Sequence, residues 1–148
     1  MGIRILLADD HTIVLQGLSR FLREQADMEV VGQAKDGLTT VELARKLAPD
    51  VVIMDISMPG LSGIEATRQI HGERPDTRII GLSMHAAKRY VQEMYKAGAC
   101  GYLLKDCDFE ELIAAIHTVA AGGTYFAGEF AAVTGGWSGP AESPAKSE

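Results

Sequence analysis

The run Val51-Val52-Ile53-Met54-Asp55-Ile56-Ser57-Met58-Pro59-Gly60 decides the fold. Its first four residues are all apolar, with no polar residue in alternation, as in a strand covered on both faces at the centre of a parallel sheet. An acid ends the run, and Pro59-Gly60 then turns the chain. Working outward, four more short runs rich in Ile, Val and Leu occur at residues 3–8, 29–33, 78–83 and 101–104. Segments of helical period lie between them. From Ile13, apolar residues recur at Val14, Leu18, Phe21 and Leu22, and near the other end at Phe109, Leu112, Ile113, Ile116, Val119 and Ala120. Three further helices are expected at about 37–48, stopped by Pro49, at about 63–72, and at about 86–97, closed by Gly98. Strand and helix alternate five times, which predicts an α/β fold: a (βα)5 doubly wound parallel sheet with right-handed crossovers. Such sheets carry their functional site at the carboxyl ends of the strands.

Composition fits one such domain. The 148 residues are 47% hydrophobic and 23% charged, which excludes a wholly disordered, fibrous or disulfide-stapled chain. A formal net charge of −6 argues against a broad basic face that would grip nucleic-acid phosphates. Cys100 and Cys107 cannot build a disulfide framework, and His11, His71, His85 and His117 lack zinc-site spacing. Both thiols are therefore read as small hydrophobes in a reducing cytosol. No signal peptide and no stretch of about eighteen apolar residues is found, so no membrane association is expected and a cytoplasmic location is. After Gly123 the pattern dissolves. Residues 131–148 have Val133 as their only Leu, Ile, Val or Phe, too little to offset chain entropy. The expected organisation is a domain at 1–123 and a flexible linker or tail at 124–148, which contains Trp137 and no DNA-binding domain.

The strand-end rule gathers the chemistry. The first strand ends in Asp9-Asp10, the third in Asp55, the fourth in Ser83 and the fifth in Lys105. Three carboxylates and one ammonium leave two negative charges, which one divalent cation neutralises. Oxygen-only ligands point to Mg²⁺, with Mn²⁺ as a substitute. A carboxylate held beside such a cation can attack a phosphoryl group while the metal and ammonium neutralise the equatorial oxygens. An acyl phosphate on Asp55 is the expected product. Taken singly, these residues have plainer readings: Asp10 or Ser83 as a helix cap, Lys105 as a solvated side chain.

In combination they resemble a known family. Asp9-Asp10, the turn Met54-Asp55-Ile56-Ser57-Met58-Pro59-Gly60 followed by Gly63, Ser83, and Gly101-Tyr102-Leu103-Leu104-Lys105 are similar to the receiver domains of two-component response regulators. Gly-Tyr-Leu-Leu-Lys-Asp and the stretch from Val119 to Phe126 resemble the NarL/FixJ, LuxR-type subfamily. The resemblance covers about residues 3–123 and implies a flavodoxin-like sheet of order 2-1-3-4-5. It implies that Asp55 takes the phosphoryl group from a sensor histidine kinase. Asp10 and Asp55 would be direct Mg²⁺ ligands, Ser57 a ligand through its carbonyl, and Asp9 would act through water. Lys105 would pair with the phosphoryl oxygens and, with Ser83, serve the transfer. Ser83 and Tyr102 would form the switch pair. Tyr102 lies three residues before Lys105, an odd offset that puts the two on opposite faces of a regular strand, so Tyr102 would border the site without lining it. An ordinary core aromatic is the plainer reading of Tyr102. Ser57 and His85 occupy rate-tuning positions, the sense of the His85 effect being open.

The resemblance further implies a phosphorylation-dependent homodimer through the first and last helices, and a DNA-binding output in the full-length protein. Here the sequence departs, since only 22 residues follow Phe126 and a helix-turn-helix needs several helices. A truncated transcription factor and a stand-alone receiver both remain open. An aspartyl-phosphate phosphatase of the haloacid dehalogenase type would need a second acid two residues after the nucleophile, where Ser57 stands. A flavin carrier would suffer repulsion between Asp9-Asp10 and the cofactor phosphate. The chain is thus expected to be a signalling domain, with no enzymatic activity beyond its own phosphoryl transfer and dephosphorylation.

Overall fold

The computed structural model of the chain describes residues 2–84 and 86–126. His85, Trp137 and most of the 124–148 segment lie outside the described residues. Ten elements alternate: β1 (Ile3–Ala8), α1 (Thr12–Arg23), β2 (Met28–Ala34), α2 (Gly37–Leu47), β3 (Val51–Met54), α3 (Gly63–Glu73), β4 (Arg78–Ser83), α4 (Lys88–Ala97), β5 (Gly101–Leu104) and α5 (Phe109–Ala120). All strand pairs are parallel, in the order β2-β1-β3-β4-β5. This is the doubly wound sheet that the apolar runs predict.

Side chains leaving each strand alternately feed two cores. Leu6, Ala8, Val52, Met54, Ile79 and Tyr102 pack with Val41, Ala44, Ala66, Ile70, Val91 and Met94, so α2, α3 and α4 cover one face. On the other, Ile5, Leu7, Val51, Ile53, Ile80, Leu82 and Leu103 pack under α1 and α5 through Leu15, Leu18, Leu22, Leu112, Ile116 and Val119. Two covered faces explain why Val51–Met54 shows no alternation: all four residues are buried.

Helix ends follow local chemistry. Asp36, Ser62 and Asp108 cap α2, α3 and α5 by accepting from the backbone N–H groups of Thr39 (2.7 Å), Glu65 (3.2 Å) and Glu111 (2.8 Å). α2 ends one residue before the sequence expectation. Ala48 adopts φ 48°, ψ 59°, because a residue preceding proline is kept out of the right-handed helical region. The Arg4 guanidinium closes that end by donating to the carbonyls of Leu47 and Ala48 at 2.6 and 2.8 Å. Gly98 closes α4 at φ 115°, as predicted.

The packed chain continues beyond the boundary expected at Gly123. Gly122, at φ 100°, turns it back. Tyr125 then lies alongside β5, donating its N–H to the Cys100 carbonyl at 2.8 Å and accepting from the Tyr102 N–H at 3.1 Å. Phe126 is buried edge-on against Tyr95 of α4, ring centroids 5.6 Å apart. A glycine pair followed by two aromatics reads as a break in helical period, but here it is a turn that brings two apolar rings back to the sheet edge.

Candidate functional site

One further backbone bond beyond each strand holds the residues of the site. Asp9 N–H donates to the Ala34 carbonyl (3.0 Å), Asp55 N–H to Ala8 (2.8 Å) and Lys105 N–H to Ser83 (2.8 Å). The ladder thus fixes side chains that lie outside the strands proper. Behind Asp55, α3 begins at Gly63 because nothing larger fits: a Cβ there would stand 2.0 Å from the Asp55 carbonyl oxygen and 2.7 Å from the Ile56 Cα.

Asp9, Asp55 and Lys105 meet in a nearly closed pocket. Their side chains are 3%, 2% and 7% exposed, and Lys105 Nζ lies 2.8 Å from Asp9 Oδ2 and 3.5 Å from Asp55 Oδ2. Neither oxygen receives a hydrogen bond of proper geometry. The lysine is therefore an internal counterion, and its solvated reading fails. Asp10, at the mouth, does not cap α1, because the cap position belongs to His11. Ser83 is fully buried and stands four residues before Ala87, the cap position of α4. Neither Asp10 nor Ser83 is therefore a helix cap.

Burial raises the Asp55 carboxyl from 3.8 to about 6. The neighbouring Asp9 adds to the rise, and Lys105 and the Ser57 N–H, 3.3 Å from Oδ1, oppose it. Ionised at neutral pH yet more basic than an ordinary aspartate, Asp55 has the character of a nucleophile. Burial also pushes the Tyr102 phenol above its usual range, against a side-chain hydrogen bond with Ser83. Tyr102 packs in the core on the α4 side, across the strand from Lys105 as the odd offset predicts. Ser57 sits exposed at the rim.

Sequence reasoning missed His11. Its Nδ1 lies 2.8 Å from Asp9 Oδ1, 3.3 Å from Asp10 Oδ1 and 3.2 Å from Lys105 Nζ. Asp9, Asp10, His11 and Asp55 each offer a ligand atom within 4.8 Å of the others. Three carboxylates, two of them buried and facing a single ammonium, carry more negative charge than Lys105 offsets and fit a hard divalent cation.

The sequence matches the family profile described as the response regulator receiver domain over residues 5–117. The chain belongs to that family. This receiver domain is 46% identical over 134 residues to the transcriptional regulatory protein MctR of Rhizobium johnstonii, covering 90% of the chain and 63% of the relative. It is 44% identical over 123 residues to the transcriptional regulatory protein DegU of Brevibacillus brevis, covering 83% and 52%. Among solved structures, a LuxR-family two-component response regulator from Aurantimonas sp. SI85-9A1 superposes with a TM-score of 0.83 at 37% identity, covering 88% of the chain and 94% of that protein. The receiver domain thus spans between half and two thirds of the length of these curated relatives. Among the described residues no helix is long and apolar enough to cross a membrane.

Proposed function

We propose that this receiver domain accepts a phosphoryl group on Asp55 from a sensor histidine kinase and relays that state to a transcriptional output in a longer protein. The observation that carries the reading is the Asp55 carboxylate itself, buried, basic, and facing an ammonium at 3.5 Å. An Asp55 oxygen supplies the electron pair for the new P–O bond. The P–N bond to the donor histidine breaks, and its electron pair returns to the imidazole, which takes up a proton. Lys105 sits where it can neutralise a phosphoryl oxygen on Asp55, its second contact with Asp9 fixing the ammonium. A bound Mg²⁺ or Mn²⁺ would supply charge neutralisation on the phosphoryl oxygens. Asp10 and Asp55 would hold it with the Ser57 carbonyl, and Asp9 through water.

Ser83 and Tyr102 are the proposed switch pair. Their side chains already share a hydrogen bond, so drawing the Ser83 hydroxyl toward a phosphorylated Asp55 breaks a contact that Tyr102 must replace. Apolar side chains left exposed on the first and last helices, Ile13 at 83% and Phe109 at 48%, support a homodimer in the phosphorylated state. Phe109 also stacks on Phe21 of α1 at 4.0 Å, tying the two helices into one surface. The output is proposed to be DNA binding by the full-length protein, working in the cytoplasm, with this domain catalysing only its own phosphoryl transfer and dephosphorylation. Incubation with Mg²⁺ and acetyl phosphate should add one phosphoryl group to the native chain and none to Asp55→Asn, read by intact mass. Equal addition to both chains, or none to either, defeats the proposal.

A further inference from the structure

The chain that follows α5 is fastened to the proposed switch residue. After the Gly122 turn, the Tyr125 carbonyl accepts from the Tyr102 N–H at 3.1 Å and the Tyr125 N–H donates to the Cys100 carbonyl at 2.8 Å. Tyr125 bridges Gly101, where an added Cβ would stand only 3.0 Å from the Tyr125 carbonyl oxygen. Glycine at that position is what lets the strap sit so close. Tyr102 is 1% exposed and belongs to the same core as Phe126 and Met94 of α4. Its ring lies across Gly81 of β4, where a Cβ would meet ring carbon Cδ2 at 3.1 Å. The sheet thus confines Tyr102 from below, Ser83 holds it by a side-chain hydrogen bond, and its own backbone carries the strap. Strap and Ser83 lie at opposite ends of the residue: Tyr125 and Phe126 join the start of β5, whereas Ser83 ends β4 opposite Leu104.

We infer that Tyr125–Phe126 is a latch coupled to Asp55 through Tyr102, docked while Asp55 is unmodified and loosened when it is phosphorylated. Once Ser83 turns toward the phosphoryl group, the Tyr102 ring follows into the space left at the far end of β4. That movement carries it away from the core it shares with Phe126 and strains the bond from its N–H to Tyr125. Docked, the latch tethers whatever follows Phe126 to the edge formed by α4 and β5; loosened, it leaves that chain free from the Gly122 turn onward. The inference rests on the receiver reading for the modification of Asp55, and goes beyond it in naming the segment that carries the change out of the domain.

The test uses the full chain with Mg²⁺ and beryllofluoride, a phosphoryl mimic, and follows amide exchange by nuclear magnetic resonance. Exchange at Tyr102 and Tyr125 should rise about fivefold when the mimic is bound, the low end of coupling between two sites, while Val52 and Ile53 of β3 stay unchanged. Coupling is reciprocal, so a chain whose latch is already undocked should bind the mimic about fivefold more tightly in calorimetric titration. Loss of stability alone does not tighten binding. Two variants undock the latch by different routes: Phe126→Ala removes the ring, and Gly101→Ala presses a Cβ on the Tyr125 carbonyl. Circular dichroism checks that both fold. If the native chain binds the mimic with unchanged exchange at Tyr102 and Tyr125, or if both variants bind it no more tightly than native, the latch is not coupled to Asp55 and the receiver reading stands. If the native chain binds the mimic no better than Asp55→Asn, the receiver reading fails and the latch with it.

Discussion

Replacing the proposed phosphoacceptor should make the metal-free domain more stable. The fold holds Asp55 almost without exposure beside Asp9, and burial with that neighbour lifts its carboxyl from 3.8 to about 6. Because the folded-state value is the higher one, the ionised form is the one that folding disfavours. At pH 7.5 the difference of about two pH units corresponds to roughly 3 kcal/mol of destabilisation. Asp55→Asn removes the charge and keeps an oxygen for the Ser57 N–H, but loses the attraction of Lys105. The expected net gain is therefore about 1–2 kcal/mol, or some 3–6 °C in Tm for a domain of this size. Urea unfolding followed by circular dichroism in excess chelator measures it. In the native chain the Asp55 contribution has a defined direction: stability is gained as pH falls through about 6, and the gain is complete below the ordinary value of 3.8. Asp55→Asn should lack that rise. Saturating Mg²⁺ at pH 7.5 should reverse the ranking, because only the native chain gains from the ion. A metal-free Asp55→Asn chain that is no more stable than native at pH 7.5 would refute the electrostatic reasoning.

Further outcomes follow from the same geometry. Lys105→Ala removes the internal counterion, so the phosphorylation rate with acetyl phosphate should fall at least tenfold while divalent-cation affinity holds or rises; a parallel loss of both, measured by mass and calorimetry, contradicts the separate roles. Gly63→Ala forces a Cβ against the Asp55 carbonyl and should cost about 3 kcal/mol or more in urea unfolding, with near-native stability as the contrary result. Phe126→Ala should cost about 3 kcal/mol, the low end for a buried phenylalanine, because the ring lies at the rim of a core. It should also speed amide exchange at Tyr102 and Tyr125, and unchanged exchange would show that the ring does not hold the strand edge.

The sheet was legible in the sequence because burial on both faces leaves a signature that short apolar runs cannot hide. Val51–Met54 and its four counterparts mark the five-fold alternation of strand and helix, the strand order comes from the family resemblance, and the strand-end rule picks out Asp9, Asp10, Asp55, Ser83 and Lys105. Period two also put Tyr102 across the strand from Lys105. Spacing to other histidines does not reveal His11, because its partners are the adjacent Asp9 and Asp10 carboxylates and the Lys105 ammonium at the end of β5. Tyr125 and Phe126 escaped for a different reason. Their contacts are with β5 and α4, and neither helical nor strand period marks a residue pair that joins a sheet at a single point.

That single point guards the sheet against other copies of itself. β5 is an edge strand, and its free backbone groups are the kind that recruit a foreign strand. Tyr125 occupies the Tyr102 N–H and the Cys100 carbonyl, and Phe126 shields the neighbouring apolar surface. A variant ended at Gly123 would keep every strand, helix and site residue described above and still bare a ready template for intermolecular pairing. Its failing would be colloidal: turbidity and thioflavin binding that grow with protein concentration while the monomer's circular dichroism spectrum stays native.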